Sequence, residues 1–198
     1  MATMVARSTR PAWGVSLRPP SPADAGAFLA AVLASRKLHG AWVAPPSTPA
    51  LYRAWLGKLD PPGPRARNAS LLACRDDDGS LVGTFNFSEI VRGGFRSAYL
   101  GYYGFTPNAG AGYMTLAFAA VLDAAWRDLD LHRVEANVQP SNARSIALVE
   151  RVGFAREGYS RRYVKIAGRW RDHVRYAMLA EDWPRERRLL LRQAAARR

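Results

Sequence analysis

The chain has 198 residues, 48% of them apolar, and a formal net charge of +13. That length suits one domain with a substantial core, and no apolar run approaches the roughly 20 residues that cross a bilayer. Cys74 is the single cysteine, which excludes an intrachain disulfide, and His39, His132 and His173 lack the spacing of a metal site.

Cys74 ends the apolar run 70–74 and reads as a buried structural thiol. A chain without disulfides fits a reducing cytoplasm. Residues 1–13 carry Arg7 and Arg10 without an apolar h-region, so they read as a flexible tail and not as a secretory signal. Residues 185–198 hold six Arg and one Glu, and the segment from 184 on reads as a basic tail. Basic charge favours polyanions such as RNA, ribosomes, acidic proteins or CoA phosphates. Arg also outnumbers Lys 26 to 3, as a GC-rich genome produces, so charge alone identifies no partner.

In chain order, residues 15–18 alternate and predict a first strand. Ser21 followed by Pro22 predicts a helix start, with Phe28, Leu29, Val32 and Leu33 expected on one apolar face. A Pro-rich loop over 44–49 leads to a second helix over 51–59, ended by Pro61-Pro62-Gly63-Pro64. Residues 70–74 and 81–88 predict a hairpin turning at Asp76-Asp77-Asp78-Gly79. A Tyr-rich strand over 97–105 follows, then an Ala-rich helix over 113–129. The alternation at 133–138 predicts a strand with Val134, Ala136 and Val138 on one face and Arg133, Glu135 and Asn137 on the other. A helix over 141–152 and a closing hairpin, 154–166 with 171–180, complete one domain over 14–183. Leu189-Leu190-Leu191 is an apolar patch in the basic tail that could dock or pair. Helices and hairpins interleaved around one sheet predict an α/β or α+β fold with a mixed, mostly antiparallel sheet.

Two helix starts carry the chemistry. The loop Asn108-Ala109-Gly110-Ala111-Gly112 opens the helix at Tyr113-Met114. A helix N-terminus offers unpaired N–H groups and a positive dipole end to phosphate, and glycine lets the backbone approach closely. Asn142 opens the next helix, with Arg144 and Ser145 on its first turn. Ser141 or Asn142 would serve as a plain helix cap as well. A Gly-rich loop and an Asn, each at a strand-to-helix junction, suit a phosphate-bearing acyl carrier.

This order resembles the GNAT acetyltransferases. The segments Gly153-Phe154-Ala155-Arg156-Glu157-Gly158-Tyr159, Trp170-Arg171-Asp172-His173-Val174 and Asp182-Trp183 are similar to the RimJ/RimL group of ribosomal-protein N-terminal acetyltransferases. So are Thr84-Phe85-Asn86-Phe87-Ser88, Val91-Arg92-Gly93 and Tyr99-Leu100-Gly101-Tyr102, while the first third contributes Leu38-His39 with Trp42-Val43. The resemblance implies a GNAT fold and acetyl-CoA as co-substrate, with no metal. It implies that Gly110, Ala111, Gly112, Tyr113 and Met114 hold the pyrophosphate and that Asn142 contacts the pantetheine arm. Tyr103 and Phe105, on a splayed strand whose N–H groups stabilise the oxyanion, would flank the acetyl group. Ser145 would protonate the leaving thiolate.

The chain departs from that pattern in three places. Pro107 stands where the loop begins with Arg or Gln, Ala111 where relatives of the RimJ type often carry a basic residue, and Asn137 where many N-terminal acetyltransferases place a Glu. Glu135, on the same strand face, could replace that base, with Glu89 and Glu157 as alternatives, and each could equally be a structural carboxylate paired with Arg. An α-ammonium has a pKa of roughly 7.7–8.0, so a weak base or a water relay suffices. Trp42 and His39 would line the acceptor groove, and the Asp172-His173 pair reads as structural or acceptor-lining.

The resulting expectation is transfer of acetyl to the N-terminal α-amine of a protein, a ribosomal protein foremost, with ribosome or RNA contact through the basic tail. Two other readings stay open: a small amine as acceptor, and a non-catalytic ribosome- or RNA-binding protein on the same scaffold. Monomer and homodimer are both compatible with the sequence.

Overall fold

A computed structural model of the chain describes residues 14–40, 42–61 and 63–195. The expected N-terminal tail, 1–13, lies outside the described residues. Seven strands form one sheet in the order β1-β2-β3-β4-β5-β7-β6. They are β1 (Val15–Arg18), β2 (Ala69–Arg75), β3 (Leu81–Val91), β4 (Ser97–Gly104), β5 (Arg133–Val138), β6 (Ala155–Ile166) and β7 (Arg169–Leu179). Every neighbouring pair is antiparallel except β4 and β5. The architecture is the mixed, mostly antiparallel α+β sheet that the sequence predicts.

The parallel pair needs a crossover, which α4 (Tyr113–Arg127) supplies. Its alanines 117, 119, 120, 124 and 125 are buried, so the helix lies close on the sheet. Phe118 meets Phe85, Tyr102 and Phe154 edge-on, at centroid distances of 5.3, 4.8 and 5.4 Å. Gly83 on β3 is where this packing is tightest. A Cβ there would stand 2.6 Å from Met114 Sδ and 2.7 Å from the Tyr103 carbonyl oxygen. The same side of the sheet carries α5 (Ala143–Val152), which ends at Gly153 with φ +99°.

The other side holds a smaller core, where Phe28, Val32 and Tyr52 pack on Leu72, Cys74, Tyr103 and Phe105. Phe28 and Val32 come from α1 (Ala25–Ala34) and Tyr52 from α3 (Pro49–Leu56). Leu33 is 58% exposed, so the expected four-residue apolar face of α1 is narrower: Phe28 and Val32 are buried, Leu29 packs half-buried beside them, and Leu33, about 100° from Val32, turns away. The second helix begins earlier than 51, because Thr48 caps it and Pro49 occupies its first turn.

The basic segment after 183 is not a tail. It folds as α6 (Trp183–Ala195), and the domain boundary expected at 183/184 falls inside this helix. Trp183 and Leu190 are buried in the main core. Trp183 Nε1–H donates to Asp123 Oδ1 at 2.7 Å, and Arg187 Nε bonds both oxygens of the same carboxylate at 3.1 Å. Leu190 is therefore buried and Leu191 packs half-buried against the same core, whereas Leu189 is 41% exposed.

Truncating Leu190 to alanine removes a buried side chain from the face by which α6 docks on the main core. The expected cost is about 2–5 kcal/mol, read as a lower urea midpoint. An unchanged midpoint would mean that α6 does not dock.

Candidate functional site

The β4–β5 pairing is short. Only Ser97, Ala98 and Tyr99 face Arg133, Val134 and Glu135. Beyond them β4 stays bonded to β3 as far as Gly104, and β5 stays bonded to β7 as far as Val138. Each strand follows its outer neighbour, so the two part and leave unpaired edges. Phe105 N–H donates to the Val82 carbonyl on β3 at 2.8 Å. Strand N–H groups alternate in direction, so those of Tyr102 and Gly104 face the opening. A cleft of about 1580 Å³ runs through this gap, lined by β4, β5, α4, α5 and the loop at 109–112.

At one end of the cleft lies the glycine loop. Gly110 and Gly112 have φ +86° and +87°, a left-handed backbone that a side chain resists. Gly112 is the N-cap residue of α4. The first hydrogen bonds of this helix are Thr115 N–H and Leu116 N–H to the Gly112 carbonyl, at 3.0 and 3.4 Å. The amides of Tyr113 and Met114 precede them and are left without a helical partner. Asn108, behind the loop, is buried and pinned, its Nδ2–H donating to the Leu81 carbonyl at 3.0 Å. Arg144 and Arg151 of α5 line the same cleft, seven residues apart and thus on one helix face. They supply cations where Ala111 supplies none. Gly110, Ala111, Gly112 and Met114 line the cleft, so the donor set fits a pyrophosphate. Tyr113 does not line it; its ring lies under the Arg75 guanidinium at 5.0 Å.

Asn142 caps α5, Oδ1 accepting from Ser145 N–H at 3.2 Å. Both residues line the cleft. Ser145 Oγ is 2.5 Å from the hydroxyl of Tyr102, which reaches over from β4. The Tyr102 partner was not foreseen from sequence; its only signal is its place on the β4 face that carries Leu100.

The carboxylates are differently placed. Glu135 lines the cleft, yet its Oε1 accepts from Arg133 Nε at 3.0 Å. The same guanidinium binds Glu157, with Nη1 at 2.9 Å from Oε1, and holds that carboxyl below the usual range. Two of the three candidate bases are thus the two sides of one ion-pair network. Glu89 sits at a bulge in β3 with φ +50° and does not line the cleft. Asn137 does line it, and its Oδ1 is buried with no hydrogen-bond partner among the described residues.

The opposite wall is aromatic. His39 Nε2–H donates to the Gly104 carbonyl at 2.9 Å, pinning α2 (Arg36–His39) to the end of β4. Burial lowers the pKa of His39, so the ring is neutral. Its ring meets Tyr103 at 5.4 Å. Trp42, Tyr99, Tyr163 and His173 complete the wall. Burial, and then a hydrogen bond with Tyr99, push Tyr163 up to about 12. Phe105 departs from its expected place: it is fully buried in the smaller core against Phe28, so its side chain cannot flank a substrate. Asp172 and His173 do not form a pair. Asp172 accepts from the Tyr159 hydroxyl at 2.6 Å and the Arg162 N–H at 2.7 Å, whereas His173 Nδ1 contacts the Arg171 carbonyl at 3.0 Å. Cys74 is buried outside the cleft, and burial raises its thiol pKa. Among the described residues, no group of three or more His, Cys, Asp or Glu could hold a metal, and no helix is long and apolar enough to cross a membrane.

A splayed parallel pair, with an anion-binding helix start at one end and an aromatic wall at the other, defines an N-acyltransferase domain. The chain belongs to the GNAT acetyltransferases: residues 15–155 match the family described as acetyltransferase (GNAT) domain, whose members use acetyl-CoA. It is 42% identical over 107 residues to the [ribosomal protein uS5]-alanine N-acetyltransferase of Escherichia coli (strain K12), which is 54% of this chain and 55% of that protein. The chain thus matches about half the length of that curated relative. Among solved structures, Mycobacterium smegmatis RimJ in complex with CoA-disulfide is 30% identical with a TM-score of 0.79, covering 91% of this chain and 89% of that one. A spermidine N-acetyltransferase from Vibrio cholerae, in complex with CoA and spermine, shares the fold at 20% identity and a TM-score of 0.71, covering 86% of this chain and 98% of that one.

Two predictions come from the site. Gly112→Trp forces a side chain onto a left-handed residue among the free amides. CoA affinity measured by calorimetry should drop at least about tenfold, the worth of one charge-assisted hydrogen bond, and undiminished affinity would remove the loop from the binding site. The second concerns the neutral histidines. The folded pKa of His39, like that of His173, lies below the unfolded value of about 6.5, so the unfolded chain binds more protons. Their contribution to stability is full above about pH 6.5 and is lost as pH falls below it. Melting temperature should therefore fall between about pH 7 and pH 5, and less steeply in His39→Gln. Equal slopes would contradict a neutral, buried His39.

Proposed function

We propose that this chain transfers acetyl from acetyl-CoA to the N-terminal α-amine of a protein, with a ribosomal protein as the leading acceptor. The observation that carries this reading is the charge of the cleft. Its single carboxylate among the described residues, Glu135, is already bonded to Arg133, and Lys37, Arg144 and Arg151 line the same space. A polyamine would bring several ammonium groups to a site without free anions, at the cost of unpaired charge. A peptide brings one amine, which must be neutral to react, and a chain that Trp42, Tyr99 and Tyr163 can hold.

In this reading the amides of 110–114, with Arg144 and Arg151, hold the CoA phosphates, and Asn142 orients the pantetheine arm. The Tyr102 and Gly104 amides face the acetyl oxygen, and Tyr103 flanks it on the acceptor side. CoA supplies an activated thioester. The amine nitrogen attacks the carbonyl carbon, the C–N bond forms, and the C–S bond breaks with its electron pair going to sulfur. Ser145 donates a hydrogen bond to that sulfur. Glu135 is held as an ion pair, so the amine enters in its neutral form or loses its proton to water. A pKa of roughly 7.7–8.0 leaves about a tenth of the amine free at pH 7. Contact of the basic C-terminal segment with ribosomal RNA belongs to the same reading.

The test offers acetyl-CoA with three acceptors: a peptide with a free N-terminal alanine, the same peptide N-acetylated, and spermidine. Mass spectrometry should place acetyl on the α-amine of the first alone. Preferential acetylation of spermidine, or of a lysine side chain, would overturn the acceptor class.

A further inference from the structure

The serine at the head of α5 has a partner on the facing strand. Tyr102 projects from β4 with its ring wedged against Phe118 and Phe85, at centroid distances of 4.8 and 6.1 Å. Its hydroxyl spans the gap between β4 and α5 and stops 2.5 Å from Ser145 Oγ. Both residues line the cleft.

Either hydroxyl could donate across this contact, and donor strength decides between them. Tyr102 could instead donate to the Ser145 carbonyl, but that contact is 3.5 Å, the outer limit of a hydrogen bond. A phenol is also a stronger donor than an alkyl hydroxyl. The tyrosine proton therefore lies on the short contact, occupying a lone pair of Ser145 Oγ. Burial raises the Tyr102 pKa well above that of a free phenol, so the proton stays on the tyrosine through the neutral range. The serine backbone is fixed independently by its N–H bond to Asn142 Oδ1. What remains undetermined by these bonds is the serine's own proton. In a helix a serine hydroxyl commonly turns back to a carbonyl one turn earlier. A donor already seated on its oxygen disfavours that rotamer and leaves the proton to the cleft.

We propose that Tyr102 is a positioning residue for sulfur departure: it holds the Ser145 hydroxyl so that the serine proton points at the CoA sulfur. This rests on the reading of Ser145 given above. The pair acts by hydrogen bonding, not by net proton transfer. Were Ser145 to give up its proton and refill from Tyr102, a buried phenolate would remain beside a thiol of lower pKa, an uphill outcome. As the C–S bond breaks, the electron pair settles on sulfur and is stabilised by Ser145 O–H. The proton that finally reaches sulfur comes from water, which also takes the proton of the amine.

The product thiol offers a test that needs no acceptor. CoA bound to the full chain is titrated by thiolate absorbance, with calorimetric affinity across pH as a second readout. In the parent the bound thiol should titrate about 1 pKa unit below free CoA, equivalent to about tenfold more thiolate. Tyr102→Phe, which keeps the ring packing, and Ser145→Ala should each return the thiol to its free value. Both should leave affinity for the protonated thiol at low pH within about threefold, less than the tenfold that 1.4 kcal/mol represents. Ser145→Thr, which retains a hydroxyl, should keep the shift. If the Phe variant fails to fold by thermal melting, the contrast between Ser145→Ala and Ser145→Thr in the parent background decides whether a hydroxyl sets the shift, and Tyr102→Met, which carries no donor, replaces it as the partner variant. A parent without the shift, a Tyr102→Phe that keeps it, or a chain that does not bind CoA would each overturn the proposal. An active thiol shift with no peptide acetylation would instead overturn the acceptor class and leave Tyr102 in its role.

Discussion

The site depends on the brevity of one strand pairing. β4 and β5 run side by side for three residues each and then follow β3 and β7 outward. Continuous pairing would satisfy every backbone group and leave no room for a substrate. The separation leaves inward N–H groups on β4 and a deep gap floored by the packing of α4. The same topology places both helix starts at this gap, because α4 leaves from the end of β4 and α5 leaves from the end of β5. The glycine-loop helix start, the inward amides of β4 and the Tyr102–Ser145 pair thus meet at one junction. Gly83 shows how closely it is built, since even one added carbon would meet Met114 and the Tyr103 carbonyl.

Charge is distributed unevenly across that junction. Arg144 and Arg151 of α5, which have no ion-pair partner among the described residues, line the same cleft as the glycine loop, and the aromatic wall adds Lys37 beside a neutral histidine. The acidic groups nearby are internally satisfied by Arg133, which bonds Glu135 and Glu157 together. Arg133 thus gives both carboxylates a partner within the wall. An acceptor whose amine is already one-tenth neutral at pH 7 places little demand on a base. The lone unsatisfied acceptor on this stretch of β5, Asn137 Oδ1, is uncharged.

The strong basic balance of the chain has a partly structural explanation. Arg187 joins Trp183 on Asp123 and ties α6 to α4, while Arg92 bonds the Ala66 and Leu129 carbonyls and ties β3 to neighbouring loops. Arginine suits such sites because its planar fork reaches several acceptors at once. Composition therefore overstates how much of the charge is free to meet a polyanion.

Much of this was legible in the sequence. Alternation and turn residues located all seven strands, because period-two burial is a local property. The glycine loop and Asn142 were readable for the same reason: positive φ and helix capping are decided within a few residues. Contacts across the sheet were not. Tyr102 lies on β4 and Phe105 just beyond its end, and which one reaches the cleft depends on the side of the folded sheet each occupies. Glu135 reads as a candidate base until Arg133, which it shares with Glu157, is seen on its oxygen. The C-terminal segment reads as a charged tail until Leu190 finds a core to enter. By itself the sequence determined the strands, the helix starts at the cleft and the family; only the tertiary structure decided the last helix and which side chains share the cleft, because strand pairing and helix docking join residues that no local periodicity connects.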